Sequence, residues 1–252
     1  MYDWPELRPA TDRFWSALRD ALRAEGMAAP ERLERDREPM AVWTDPTLVL
    51  AQCCGLPFVR ALWGRVEMLG APDYCLPGCL QGFYRSAIVV RRDDPRETLE
   101  AFRGSRLAFN ERGSQSGYAA MLHHVAPLAR ERRFFSGAVE TGSHAASAEL
   151  VAADCADVAA LDMVSWRFVE RYRAAAGRLR VLLLTEPTPG LPLIAARGAD
   201  VPAMRRAIAA AMVALDAASR RDLGLTGFRP FDPGDYGVIR DRAAAAERLV
   251  AL

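Results

Sequence analysis

The chain is 252 residues long, with 33 basic against 32 acidic side chains and a net charge of +1. Charges of both signs are interspersed, which excludes the concentrated basic face of a nucleic-acid binder. No apolar run reaches the about 18 residues of a membrane-spanning helix, so no membrane-embedded segment is expected.

Every basic residue is arginine. Without lysine there is no Schiff-base nucleophile and no attachment point for pyridoxal phosphate, and no cofactor is expected. The five cysteines, Cys53, Cys54, Cys75, Cys79 and Cys155, do not make a disulfide framework. Cys53-Cys54 reads as a buried strand end. Cys75 and Cys79 share a Pro/Gly loop that is open to two readings, an oxidised pair or a small metal clip. No partner set of His or Cys stands at ligand spacing, so no metal site is expected.

Taken in order, residues 5–25 predict a helix with Leu7, Phe14, Trp15, Leu18 and Leu22 on one face, stopped by Gly26. Residues 27–40 are charged, Pro-punctuated loop. Leu48–Ala51 reads as a short buried strand, Phe58–Trp63 as a helical connection and Val66–Leu69 as another strand. After a loop over 70–82 comes a strong strand at Phe83–Arg91, then a break at Asp93-Asp94-Pro95 and a short helix over 96–102. From there the chain alternates: strand 105–110, helix 115–129, strand 138–141, helix 144–153, strand 157–161, helix 163–175, strand 179–184. That is the rhythm of a parallel sheet with crossover helices. Pro187–Pro192 is a second break, Leu193–Ala196 returns to strand, and two more helices are predicted at Pro202–Ser219 and Tyr236–Leu252.

The chain therefore leaves one lobe near 92 and returns near 190. Residues 1–91 and 192–252 are expected to form lobe one, and 92–191 lobe two. Two such crossings are what a hinged two-lobe binder requires.

Chemistry concentrates in the second lobe. Leu107–Phe109 runs as an apolar strand into Asn110-Glu111-Arg112-Gly113-Ser114-Gln115-Ser116-Gly117-Tyr118, a hydroxyl-rich turn that opens a helix. The first N–H groups of a helix lack intrahelical partners, and the dipole places positive charge there. Ser114 and Ser116 add hydroxyls, and Gly117 allows close approach to the backbone. Ser114 as a plain helix cap is an equal alternative. Thr141-Gly142-Ser143-His144 repeats the arrangement with a histidine at the helix start, where the dipole lowers its pKa. Asp162 closes the run Asp157–Leu161, with helix capping as its alternative role. In open α/β sheets, ligands bind at these strand ends. Gln115, Tyr118 and Tyr84 are candidate wall residues, and Gln52 and Cys54 join them by position only. His123 and His124 fall mid-helix, and at least one of them reads as surface or interface.

This order of motifs resembles the phosphate/phosphonate-type solute-binding proteins of ABC transporters, within the periplasmic-binding-protein type II superfamily. The matching pieces are Tyr84–Val90, Ser114–Gly117, Thr141–His144, Asp157–Asp162 and Pro187–Pro192, covering roughly residues 45–250. The resemblance implies an α/β, two-lobe periplasmic-binding-protein-like fold, with a mostly parallel sheet in each lobe and a ligand cleft between. It implies a small phosphate- or phosphonate-like anion as ligand, and an ABC-transporter membrane component as partner. Ligand-binding residues are then Ser114, Gln115, Ser116, Gly117, Tyr118, Ser143, His144, Asp162 and Tyr84. Neutral donors and helix dipoles would hold the ligand, with no catalytic residue.

In that family a strand precedes the first helix; here it would lie before Met1. The opening Met1–Glu6 has no basic region and no apolar core, so no export signal is expected. The resemblance points to the periplasm and the missing signal to the cytoplasm. The alternative function is a cytosolic enzyme on the same fold, such as a menaquinone- or thiamine-precursor-pathway enzyme. Against it, no nucleophile–base pair and no Cys/His cluster stand out.

Overall fold

The computed structural model describes residues 1–251. Its first elements are α1 (Arg8–Ala24), α2 (Pro39–Trp43), β1 (Ala51–Gln52), α3 (Gly55–Pro57), β2 (Val66–Asp73), β3 (Phe83–Tyr84) and β4 (Ser86–Arg91). Then come β5 (Arg106–Phe109), α4 (Ala120–Val125), β6 (Gly137–Glu140), α5 (His144–Ala152), β7 (Val158–Asp162), α6 (Met163–Tyr172) and β8 (Leu179–Leu184). The chain closes with β9 (Thr188–Pro189), β10 (Leu193–Ala196), α7 (Val201–Ala214), α8 (Ala217–Leu223), β11 (Gly227–Arg229) and α9 (Gly237–Leu249). The α/β architecture is the expected one.

Two compact units divide the chain. The first holds Met1–Phe83 and Pro189–Tyr236, the second Tyr84–Thr188 and the chain from Gly237 onward. This division differs from the expected lobes at two places. Ser86–Arg91 was expected in lobe one with a crossing near 92, but β4 lies inside the second unit's sheet and the crossing falls at 83/84. Ala87 to Val90 are each fully buried, and a strand buried on both faces belongs in the middle of a sheet. The last helix was also expected in lobe one. Instead Ala246 and Val250 join the second unit's apolar core.

In the first unit the sheet order is β1-β10-β2-β11, and every pairing is antiparallel. A mostly parallel sheet was expected here. Apolar runs buried on both faces carry no record of direction, so periodicity cannot tell one arrangement from the other. On α1 the residues Ala10, Trp15, Leu18 and Leu22 are buried, and the helix packs against α7. Gly26, at φ +82°, ends it in the left-handed turn that glycine adopts without strain. The single helix expected over 202–219 breaks instead: Leu215 is extended and Asp216 caps α8 by accepting from Ser219 N at 2.9 Å.

In the second unit the order is β6-β5-β7-β4-β8. β5 runs parallel to both β6 and β7, while β4 runs antiparallel to β7 and β8. Ile88, Val90, Leu107, Phe109, Val158 and Ala160 pack on one face with Met121, Leu122 and Val125 of α4. Burying each large side chain of this kind contributes about 1.5–3 kcal/mol. α5 packs against β5, β7 and β4. β3 pairs with β9, and within the first unit Gly190 N donates to Gly82 O at 2.8 Å.

The strand directions bring one set of residues to a single sheet edge. β5, β6 and β7 end there with Asn110, Thr141 and Asp162 just beyond or at their last residues. β4 begins there, with Ser86 opposite Asp162. Thr185, the residue after β8, donates its N–H to Ser86 O at 2.9 Å.

Candidate functional site

The hydroxyl turn after β5 opens a helix as expected, but by a wide turn. Gln115–Ala119 makes π-type hydrogen bonds before α4 begins, and Ser114 caps it, its Oγ accepting from Gly117 N at 3.0 Å. All five residues of the wide turn are buried. The helix expected over 115–129 ends early, in a tight turn at Ala126–Leu128 containing Pro127.

Ser116 is the junction of the site. Its carbonyl accepts from Ser86 Oγ at 2.9 Å, and Ser86 N in turn donates to Thr185 Oγ1 at 2.8 Å. Its hydroxyl lies 3.1 Å from His144 Nε2. The two motifs read separately in the sequence thus meet side chain to side chain. His144 is the first residue of α5. Burial holds its pKa down to about 4, against which the Ala160 carbonyl pulls upward. The ring is therefore uncharged at neutral pH. One nitrogen donates and the other accepts.

Asn110 completes this corner, and the sequence reading did not single it out. Its buried Oδ1 has no hydrogen-bond partner, and its backbone carbonyl accepts from Gly142 N at 2.8 Å. A Cβ at Gly117 would run into Asn110 Oδ1 and lie 3.1 Å from His144 Cε1. Gly117 is thus required by contact. The available signal was an amide directly between an apolar strand and a hydroxyl turn. Ser86 and Thr185 were missed as well, because their link to Ser116 spans 30 residues and more.

Other predicted residues sit differently. Ser143 caps α5, accepting from Ala146 N at 3.1 Å, and is exposed. Thr141 Oγ1 contacts Ser147 Oγ at 2.7 Å, joining the turn to the body of α5. Asp162 is 2% exposed and caps α6, with Oδ1 accepting from Val164 N at 2.7 Å and Ser165 N at 3.0 Å. Tyr118 stacks on Phe109 at 5.3 Å inside the apolar core, and Arg112 Nη1 donates to its hydroxyl at 3.4 Å. Tyr84 is buried at the start of the second unit. Gln115 lines a separate small pocket with His123, His124, Glu186, Thr188 and Arg242. There Arg242 Nη2 holds Glu186 at 2.7 Å, with His123 Nε2 at 3.9 Å from the same carboxylate. Burial lowers the pKa of both histidines, and Arg242 lowers them further.

Of the expected wall residues in the first unit, Gln52 Nε2 donates to Leu191 O at 3.4 Å, and Cys54 is buried ahead of α3. Among the described residues no group of His, Cys, Asp and Glu is placed to hold a metal, and no helix is long and apolar enough to cross a membrane.

A corner of neutral hydroxyls, an uncharged imidazole and helix starts suits an anion held by dipoles and hydrogen bonds. The chain belongs to the family described as the phosphonate ABC transporter periplasmic substrate-binding protein, whose pattern it matches over residues 63–236. No curated protein matches it significantly in sequence.

Solved structures share the fold. A binding-protein component of an ABC phosphonate transporter from Pseudomonas aeruginosa aligns with TM-score 0.68 and 18% identity, over 94% of this chain and 82% of that one. PhnD1 from Prochlorococcus marinus, in complex with methylphosphonate, aligns with TM-score 0.72 and 16% identity, over 94% and 93%. XAC2383 from Xanthomonas citri bound to ATP gives TM-score 0.69 and 21% identity, over 97% and 94%. At these identities the likeness is one of fold.

Proposed function

We propose that this chain binds a small phosphonate- or phosphate-like anion on its second unit, at the edge where Ser114–Gly117 meets Ser143-His144. The observation that carries this is the 3.1 Å contact between Ser116 Oγ and His144 Nε2, which joins two helix starts at one point. Ser114, Ser116, Ser143 and the neutral His144 supply donors, and Gly117 lets the turn close against Asn110 and His144. Gln115, Tyr118, Tyr84 and Asp162 act behind them, the first three by shaping the turn and its approach, Asp162 by fixing α6. No group of the corner is a titratable pair suited to proton transfer, so the reading is reversible binding.

Family membership supports an ABC-transporter membrane component as partner and the periplasm as the compartment. Cell fractionation of the native gene product tests the compartment. The ligand is tested by thermal shift with methylphosphonate, phosphate, phosphite and sulfate, each over a range of concentrations. An anion at about 100 times its Kd should stabilise the fold by about 2.7 kcal/mol. Binding of sugars or amino acids with none of these anions active would overturn the reading.

A further inference from the structure

We propose that Cys75 and Cys79 form a reversible dithiol–disulfide couple that reacts with small disulfides of the glutathione class. The site lies in the first unit and does not depend on the anion-binding reading.

The loop between β2 and β3 places Cys79 at the end of a tight turn and Cys75 just before that turn. Asp73, the last residue of β2, accepts from Cys75 N at 3.3 Å and Gly82 N at 3.0 Å, pinning both ends of the loop to one carboxylate oxygen. Its other oxygen accepts from Thr226 Oγ1 at 2.6 Å, tying the loop to the segment before β11. Inside, Cys79 N donates to Leu76 O at 3.1 Å across Pro77 and Gly78, with Gly78 at φ +68°. Proline then glycine in those two places is a type II turn, which brings its first and last Cα atoms to less than about 7 Å. Cys75 immediately precedes that turn and stands at φ +45°, a left-handed conformation that a side chain adopts only under constraint. The turn at Pro77-Gly78 brings Cys79 back to Leu76, the residue next to Cys75.

Exposure separates this pair from the other three cysteines. Cys75 is exposed and Cys79 half-buried, so an external disulfide reaches them. Cys53 and Cys54 are buried, and burial pushes the Cys53 thiol up, away from the reactive thiolate. Cys155 is exposed, with no second cysteine near it in sequence. The reaction runs in two exchanges. The thiolate of one cysteine attacks the small disulfide, forming a mixed disulfide and releasing one thiol. The second cysteine then attacks its neighbour's sulfur, forming the Cys75–Cys79 bond and releasing the second thiol. Two electrons and two protons pass from the loop to the oxidant, and a dithiol reductant reverses them.

The absence of lysine makes the test clean, because trypsin then cuts only after arginine. Residues 66–85 leave as one peptide containing these two cysteines and no other, while Cys155 leaves in residues 134–167. The full chain, treated with oxidised glutathione and alkylated, is digested and weighed. The expected result is peptide 66–85 lighter by two hydrogen atoms, with a glutathione adduct at Cys155, and full reversal by dithiothreitol. Cys79→Ser should leave Cys75 as a stable glutathione adduct. Two separate adducts on peptide 66–85, a cross-link between chains, or a peptide unmodified while Cys155 reacts would each overturn the proposal. These readouts are on the wild-type chain, so a poorly folding variant does not weaken them.

Discussion

Ser114 and Ser143 play the same backbone part at the ends of neighbouring strands, yet one is buried and the other faces solvent. Each caps its helix through the N–H three residues on, at 3.0 and 3.1 Å. The difference lies in the residues after the cap. Behind Ser114 stand Gln115, Ser116 and Gly117, all enclosed, and the turn widens to hold them. Behind Ser143 stands His144, whose ring reaches back to Ser116. The first turn is therefore the floor of the corner and the second its side wall. A sequence signature of small residues before a helix marks both turns without saying which is which.

Replacing Gly117 should break the floor with the largest effect. The Cβ of a valine meets Asn110 Oδ1 and the His144 ring, and a packed corner absorbs such a clash only by moving. Gly117→Val is expected to destabilise the chain by about 3 kcal/mol and to abolish anion stabilisation. Thermal unfolding with and without methylphosphonate reads both. An unchanged ligand response would show that the ligand does not approach this turn.

Acid should act on the wall. The folded pKa of His144 lies near 4, below the ordinary 6.5, so the folded protein binds fewer protons than the unfolded chain between those values. Stability is then fully present above pH 6.5 and is lost as pH falls toward 4, by at most about 3 kcal/mol for this group. His123 and His124 are shifted in the same direction and add to the slope. His144→Gln should remove a distinct part of the acid loss, measured as the midpoint of urea unfolding at pH 7 and at pH 5. A variant whose midpoint falls as steeply as the wild type would place the acid sensitivity elsewhere.

The two serines nearest the contact sharpen the comparison. Ser116→Ala removes the hydroxyl facing a ring whose Nδ1 is itself buried, at about 1–3 kcal/mol in stability. Ser143→Ala removes an exposed cap, at about 1 kcal/mol or less. Calorimetric titration with the best anion should show the larger affinity loss for Ser116→Ala. Equal losses would mean that both walls contact the ligand alike.

How far the sequence reached divides in the same way between local and distant. The strand at 179–184, apolar but for Arg180, and the continuous apolar run at 193–196 carry their bounds in the sequence, and the structure places them there. The helix starts at His144 and Met163 were legible because Ser143 and Asp162 are strong caps. The Ser116–His144 contact, the Ser86–Thr185 link and the orphaned Asn110 side-chain carbonyl were not, since each depends on strands meeting in register across the sheet. Strand direction was illegible for the reason given by β4: Ala87–Val90 is equally buried whichever way it runs. The turn at Leu99–Phe102 was read as a longer helix because Asp94, which ties down the backbone and guanidinium of Arg96, looked like linker.

Asp162 gives the smallest effect and the sharpest distinction. One carboxylate oxygen already accepts two N–H groups at the start of α6, so the side chain is occupied as a cap. Asparagine caps a helix nearly as well as aspartate, so Asp162→Asn should cost only a few tenths of a kcal/mol in stability, roughly a third of a full cap loss. Asp162→Ala should cost about 1 kcal/mol, the full loss of the cap. If Asp162 acts only by fixing α6, anion affinity in the asparagine variant stays at the wild-type value. If its second oxygen accepts from a protonated ligand oxygen, affinity falls while the melting temperature does not. Measuring both quantities on the one variant separates a residue that builds the wall from a residue that touches what the wall encloses.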